Sequence, residues 1–333
     1  MEPPAQTSCS GNCLLHLHSA AGEAWLQRHY CPFQQHVGSD GISRFWVSIG
    51  NNEPTYLSAH EILTSYFQSQ IATFERLHGQ RVQNIVGLIP ASSNPSQYQS
   101  QLSAIAAAAG VRIDHFIQRS VLAASVYGSL STPGRRTVLV FELGGQFLEI
   151  SLLSTEDQDQ DLNIMAAVSD LGCPLFNYMV AEFPSSFGND FDAVFLHNIR
   201  TECERAKDAL CLGSAIGEVK IERLGMEMRQ LVDRGWLVEI NLKLLRSGIM
   251  RCLREAGVEK EDVDEVVLAG ASCNIPAVRR VLLEFFQEQK FRCSIDPANL
   301  MSLSSQRYIN NFSSIFDNPV AILEVLNLGL YSL

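Results

Sequence analysis

Positive charge is scarce in this 333-residue chain. Lys and Arg number 25 against 36 Asp and Glu, a net charge of −11. A balance of that sign offers no global field for a polyphosphate backbone and argues against direct nucleic-acid binding. Cysteine is thin as well. Cys9, Cys13, Cys31, Cys173, Cys203, Cys211, Cys252, Cys273 and Cys293 are nine residues scattered over the whole length, an odd count that does not read as a disulfide framework. No apolar run approaches a membrane span; the longest, around Ala104–Val111, is far too short. The opening MEPPAQTSCSGNC has neither the basic nor the apolar region of a signal peptide, so a reducing, cytoplasmic setting is expected. What the chain does have is core material. Hydrophobic residues make up 46% and charged ones only 18%, enough for one large or two modest domains and too apolar for disorder.

Strand and helix patterns alternate along it. Ile42–Gly50 alternates like a strand and ends at the turn signal Asn51-Asn52. Ser58 is placed to cap a helix running to about Gly79, with Ile62, Tyr66 and Phe74 near helical spacing. Val82–Ile89 reads as a strand stopped by Pro90, Ser96–Ala109 as a helix stopped by Gly110, Val111–Ile117 as a second strand, and Ser120–Tyr127 as a small-residue helix. A polar piece, Leu130–Arg136, follows as a linker. Beyond it the order repeats. Thr137–Phe141 and Phe147–Leu153 form a hairpin around Glu142–Gln146, helices lie near Asn198–Leu210 and Asn241–Ala256, and the buried strand Val266–Leu268 runs into a helix opened by Ile275-Pro276. This predicts two related α/β lobes, each a sheet with helices on its faces.

Three pieces carry chemistry. In Glu142-Leu143-Gly144-Gly145, glycines let backbone N–H groups converge on phosphate oxygens, and an acid at the strand end can hold a hydrated Mg²⁺ through water. The plain alternative is a structural hairpin whose glycines supply positive φ. Leu268-Ala269-Gly270-Ala271-Ser272 is a strand–turn–helix junction that brings backbone against a ligand at a sheet's carboxyl edge, although any α/β crossover needs such a turn. Glu204 and Lys207, spaced i, i+3, share one helix face. They can pair on a solvated surface or frame an adenine and its ribose.

The order of these pieces carries a resemblance. VLVFELGGQFLEISLL, LGCPLFNYMVAEF, IRTECERAKDAL and VVLAGASCNIPAVRRVLLEFF resemble successive segments of the nucleotide-binding domain of the seventy-kilodalton heat-shock chaperones. VQNIVGLIPASSNPSQYQSQLSAIAAAAGVRI and VLAASVYG are similar to that domain's preceding lobe, so the likeness covers most of Pro54–Pro297. It implies the actin-like, ribonuclease-H-like architecture of two α/β lobes with ATP or ADP and Mg²⁺ in the cleft. Lobe I would be incomplete: degenerate strands over 1–53 and the remainder over 54–133. Lobe II would span 134–310, with an outer part at about 172–236, and an apolar tail would occupy 311–333.

Residue by residue, the resemblance implies adenosine contacts from Glu204, Lys207, Gly270 and Ser272, and a phosphate hairpin at Gly144 and Gly145. Glu142 and Glu149 stand where the family has Asp near the metal. Departures are many. Asp208 replaces a basic residue, Ala271 a glycine, and Asn274 the Arg whose flat side meets the adenine. Gln146 replaces the hairpin's third Gly and Phe147 its Thr hydroxyl, while Arg119-Ser120 stands where the family reads Glu-Pro. CLLHLHSAAGEAWL resembles the first phosphate hairpin with His16 at the metal-linked Asp and His18 at a loop glycine. The following jump to ISRFWVSIGNNEPTYLSAHEI omits the Lys that helps position the attacking water.

Phosphoryl transfer rests on positioned cations and a positioned water, and losing one such element costs about 10²–10³-fold, about 3–4 kcal/mol. Several losses together predict a pseudo-ATPase that serves as a chaperone-associated binding or regulatory module. A weak Mg²⁺-dependent ATPase in ATP-dependent protein folding is the alternative. Partners implied by the family alone are J-domain co-chaperones, nucleotide-exchange factors and the ribosome. Cys9, Cys13, His16, His18, His29, Cys31 and His36 crowd the N-terminus, but their spacing is not that of a structural zinc site and a degraded strand is the simpler reading. Asn318–Leu333 is strongly apolar and reads as a core-docking tail or as an echo of the family's hydrophobic linker.

Overall fold

The computed structural model describes residues 35–40, 42–47, 55–79, 81–92, 95–127, 135–144, 148–155, 162–170, 178–179, 193–211, 214–223, 226–312 and 320–324. A few side chains inside those elements, Glu204 and Lys207 among them, are not described. The candidate first hairpin at 13–18, the N-terminal Cys and His residues before His36, the acidic run 157–161 and Gly145, Gln146 and Phe147 lie outside the described residues.

Strands β1 (Gln35–Val37), β2 (Ser43–Val47) and β3 (Thr55–Ser58) form an antiparallel sheet. Helix α1 (Ala59–His78) then starts at the expected cap. The Ser58 hydroxyl accepts from the Glu61 N–H at 3.3 Å and the Glu61 carboxylate accepts from the Ser58 N–H at 2.8 Å, a full capping box. Gly79 ends the helix in the left-handed region at φ 67°, its N–H donating to the Glu75 carbonyl. Strands β4 (Asn84–Ile89) and β5 (Arg112–Gln118) run parallel, joined by α2 (Pro95–Ala108). Phe45, Leu63, Phe67, Ile85, Ile89, Leu102 and Ile105 close the core between this sheet and α1 and α2. Helix α3 (Arg119–Ser125) follows directly on β5.

The second sheet uses β6 (Arg136–Leu143), β7 (Leu148–Thr155) and β8 (Leu162–Asp170), an antiparallel meander. Arg136, expected in the linker, is already the first residue of β6, where its guanidinium pairs with buried Glu265. Helix α4 (Ala193–Cys211) packs Ile199, Cys203 and Ala206 against a hairpin of β9 (Ile216–Arg223) and β10 (Met226–Asp233). Helix α5 (Arg234–Ala256) starts earlier than its apolar pattern, because Asp233 caps it by accepting from the Trp236 N–H at 2.8 Å. Strand β11 (Glu265–Ala269), a 3₁₀ turn (Ala271–Asn274), α6 (Pro276–Phe285), β12 (Phe291–Arg292) and α7 (Pro297–Phe312) complete this half.

The sheet order is β12-β11-β6-β7-β8, with β6, β11 and β12 parallel. Strand β6 is buried on both faces, as parallel strands are. Leu139 and Phe141 pack with Ile249, Val281 and Leu282 of α5 and α6; Val138 and Val140 pack with Leu122, Ala123 and Leu300 of α3 and α7. Finally β13 (Val320–Glu324) returns to the first sheet and runs parallel to β4, in register Val320 to Asn84 through Glu324 to Leu88. The described part of the apolar tail, Val320–Glu324, thus docks as a strand. It fills beside β4 the place that β6 fills beside β11.

Candidate functional site

Alternation along β6 sets Glu142 on the same face as Val138 and Val140, at the strand's carboxyl end. Glu149, at the start of β7, is its cross-strand partner. Two acids directly opposite one another repel, and both are buried, at 5% and 2% exposure. The structure resolves the conflict with groups that follow the first sheet's strands, Arg119 after β5 and the turn after β4. Arg119, the first residue of α3 and itself 2% exposed, forks onto Glu142: Nε donates to Oε2 at 3.1 Å and Nη2 donates to Oε1. Glu149 Oε1 accepts from the Ala91 N–H at 3.2 Å, and Oε2 accepts from the Ser92 N–H at 3.3 Å and the Ser92 hydroxyl at 2.9 Å. Burial first, and the Glu142 charge second, push the Glu149 carboxyl up to about 7, against the pull of those Ser92 and Ala91 donors.

A second junction lies at the carboxyl end of β11. Gly270 has φ 89° and ψ 140°, a conformation open to glycine, and a Cβ there would overlap the Leu143 carbonyl oxygen and lie 2.7 Å from its carbon. The loop is that tight because the Ser272 hydroxyl donates to the Gly144 carbonyl at 3.2 Å and the Gly270 N–H donates to the Pro297 carbonyl at 2.8 Å. Gly144, Gly270 and Ser272 are therefore brought together. Asn274 is exposed and faces elsewhere, donating to Asp296 Oδ1 at 2.9 Å. Asp296 also accepts from the Ala298 N–H, and these two donors, Asn274 first, hold its carboxyl below the usual range. Asn274, Arg279, Arg292, Cys293 and Asp296 are among the residues lining a cavity of about 220 Å³, less than the roughly 300 Å³ at which small-molecule pockets begin. Glu204 and Lys207 lie one turn apart on α4.

Sequence reasoning missed the clasp of Glu149 on Ala91 and Ser92. Its only signal was an acid inside an otherwise apolar strand, FLEISLL. The Arg119 substitution was visible, but not that the guanidinium would close on Glu142.

A five-stranded sheet of order 5-4-1-2-3, a companion sheet with its own parallel βαβ unit, and strand ends meeting between them define a two-lobed, actin-like fold of the nucleotide-binding kind. The Hsp70 protein family model matches residues 13–305, and the chain belongs to the Hsp70 family. It is 31% identical to a heat shock 70 kDa protein of Neurospora crassa over 258 residues, 74% of this chain and 40% of that one. It is 32% identical to one of Penicillium citrinum over 269 residues, 76% of this chain and 53% of that one. The rice heat shock 70 kDa protein BIP3 is 26% identical over 337 aligned positions, 97% of this chain and 50% of that one. The chain spans about half the length, or less, of these relatives.

Mg²⁺, which the family implies, does not fit the acidic pair that the resemblance nominated. Both oxygens of Glu142 are engaged by a guanidinium, and both oxygens of Glu149 are engaged by the 91–92 turn. A divalent ion at Glu142 would meet a buried, permanently charged Arg119. Among the described residues no cluster of three or more His, Cys, Asp or Glu is arranged to hold a metal.

Proposed function

We propose that this protein is a pseudo-ATPase of the chaperone family: a module that binds an adenine nucleotide between its lobes without turning it over efficiently and acts as a chaperone-associated regulator. The observation that carries this reading is the buried Arg119–Glu142 pair. Catalysis of phosphoryl transfer needs positioned cations and an acid or base free to orient water. Here one acid is neutralised by an internal cation and its neighbour is spent on tying a lobe I turn to lobe II. Recognition of the nucleoside side is supported by the preserved Gly270–Ser272 junction against Gly144, with Glu204 and Lys207 as its adenosine-framing residues and Gly145 as the second glycine of the phosphate hairpin. Asn274, turned onto Asp296, makes at most a peripheral contact. J-domain co-chaperones, nucleotide-exchange factors and the ribosome are the proposed partners, in the cytoplasm.

The test is calorimetry and thermal melting with ADP and ATP, beside turnover of radiolabelled ATP by the pure protein. Specific binding raises the melting temperature, while turnover stays at the no-protein background. A weak ATPase is the second reading, and one observation favours it: a carboxyl titrating near 7, as at Glu149, suits a general base. Turnover above background that disappears in Glu149→Gln would establish that reading instead.

A further inference from the structure

The geometry points to Arg119 as the resident counter-ion of this cleft: its guanidinium stands in place of a divalent metal, so that an adenine ligand binds with or without Mg²⁺. This deepens the reading above by naming the chemical form of ligand the site takes, a nucleotide independent of a metal chelate.

The argument rests on three positions and their burial. Glu142 and Glu149 face each other across an antiparallel pair, both sealed from water. Unmodified, such an arrangement asks for a cation to hold it together. The chain supplies one from outside the sheet, on the first turn of α3, the helix that follows β5 and packs on the face of this second sheet. The fork of Nε and Nη2 onto the two oxygens of one carboxylate is the geometry in which Arg binds carboxylate most specifically. Arg119 is held there by its surroundings, since α3 is locked between the sheet face and α7 through Leu122, Ala123 and Ala124, all 2% exposed or less, against Leu300 and Met301. A guanidinium on such a helix cannot swing away to admit a hydrated ion without repacking that cluster. The second acid offers no alternative seat, because its oxygens complete the Ala91–Ser92 turn and a metal there would take acceptors from three donors.

The experiment is metal rescue on the full chain. Arg119→Ala leaves Glu142 buried without its cation, which is expected to lower the melting temperature by roughly 5 °C. Millimolar Mg²⁺ or Mn²⁺ should then recover a large part of that fall, and Mn²⁺ bound by the variant should lose its free-ion electron paramagnetic resonance signal. Arg119→Gln, which keeps part of the stem and a donor, serves if the alanine variant does not fold. Wild type should show neither effect, and the double variant Arg119→Ala/Glu142→Gln, with no charge left to satisfy, should show no rescue. In parallel, the wild-type affinity for ADP in Mg²⁺ and in chelator should agree within about threefold. Capture of Mn²⁺ by the nucleotide-free wild type, abolished by Glu142→Gln, would overturn the inference, as would absence of rescue in both single variants. Should ADP bind under neither condition, nucleotide binding itself fails as a function, while the Mn²⁺ result still decides whether Arg119 holds the metal's place.

Discussion

Replacing Glu149 by Gln tests the clasp between lobes through its pH dependence. In the unfolded chain this carboxyl has its ordinary value of 4.5; in the fold, burial and then the Glu142 charge push it up to about 7. The folded state therefore holds the extra proton more tightly than the unfolded one. For a raised carboxyl the sign is the reverse of the common one. The charged form costs stability above pH 7, and that cost is relieved as pH falls from 7 toward 4.5. At about 1.4 kcal/mol per decade the full distance is worth about 3 kcal/mol, of which about 2 kcal/mol is regained between pH 8 and 5.5. Glu61, Glu227, Glu284 and Asp296 are held low by their donors, so they withdraw stability only at more acid pH, below the ordinary carboxylate range. Over pH 8 to 5.5 the difference between wild type and Glu149→Gln thus isolates one group. Melting curves followed by circular dichroism should show wild type gaining roughly 3 °C relative to the variant over that interval. Parallel curves, or a wild type that loses ground on acidification, would refute the reasoning.

Gly270→Ala should destabilise by about 1–3 kcal/mol from the backbone conformation alone, with more from the overlap at Leu143, and should abolish any ADP-induced rise in melting temperature. Ser58→Ala removes a capping box and should cost about 1 kcal/mol in denaturant unfolding, with nucleotide binding unchanged. Glu265, 3% exposed, ties Arg136 of β6 and Arg292 of β12 across β11. Glu265→Ala should cost about 2 kcal/mol, moderated because both arginines can rehydrate, and should also leave nucleotide binding intact.

What could be read from the sequence was local chemistry. The Ser58 cap and the helix stops at Gly79 and Gly110 are specified by residues a few positions apart and sit where expected, the structure adding Glu61 as the other half of the cap and a positive φ at both glycines. The unbroken apolar run Thr137–Phe141 announced a buried strand, and the structure shows it covered on both faces. Strands β9 and β10 went unread because IGEVKIER and MEMRQLVD are rich in charge, and their apolar faces make sense only against α4. The start of α5 was placed too late, since Asp233 caps a first turn whose residues carry no apolar period. Least legible was the centre of the site. Residues 91, 92, 119, 142 and 149 meet through the packing of two sheets, and no spacing along the chain encodes that an arginine will neutralise one acid while a turn absorbs the other. The same holds for the tail, whose apolar composition predicted docking but not the edge it would choose.

Strand β13 also sets an order of events. A ribosome delivers Asn84 long before Val320, so among the described residues the edge of β4 that β13 covers has its occupant only after the second sheet has been made. The later sheet, built from residues 136 to 292, needs nothing downstream of α7 and can mature first. The sheet begun earliest is completed by the strand made last, and an edge strand without its partner is one that pairs with other strands.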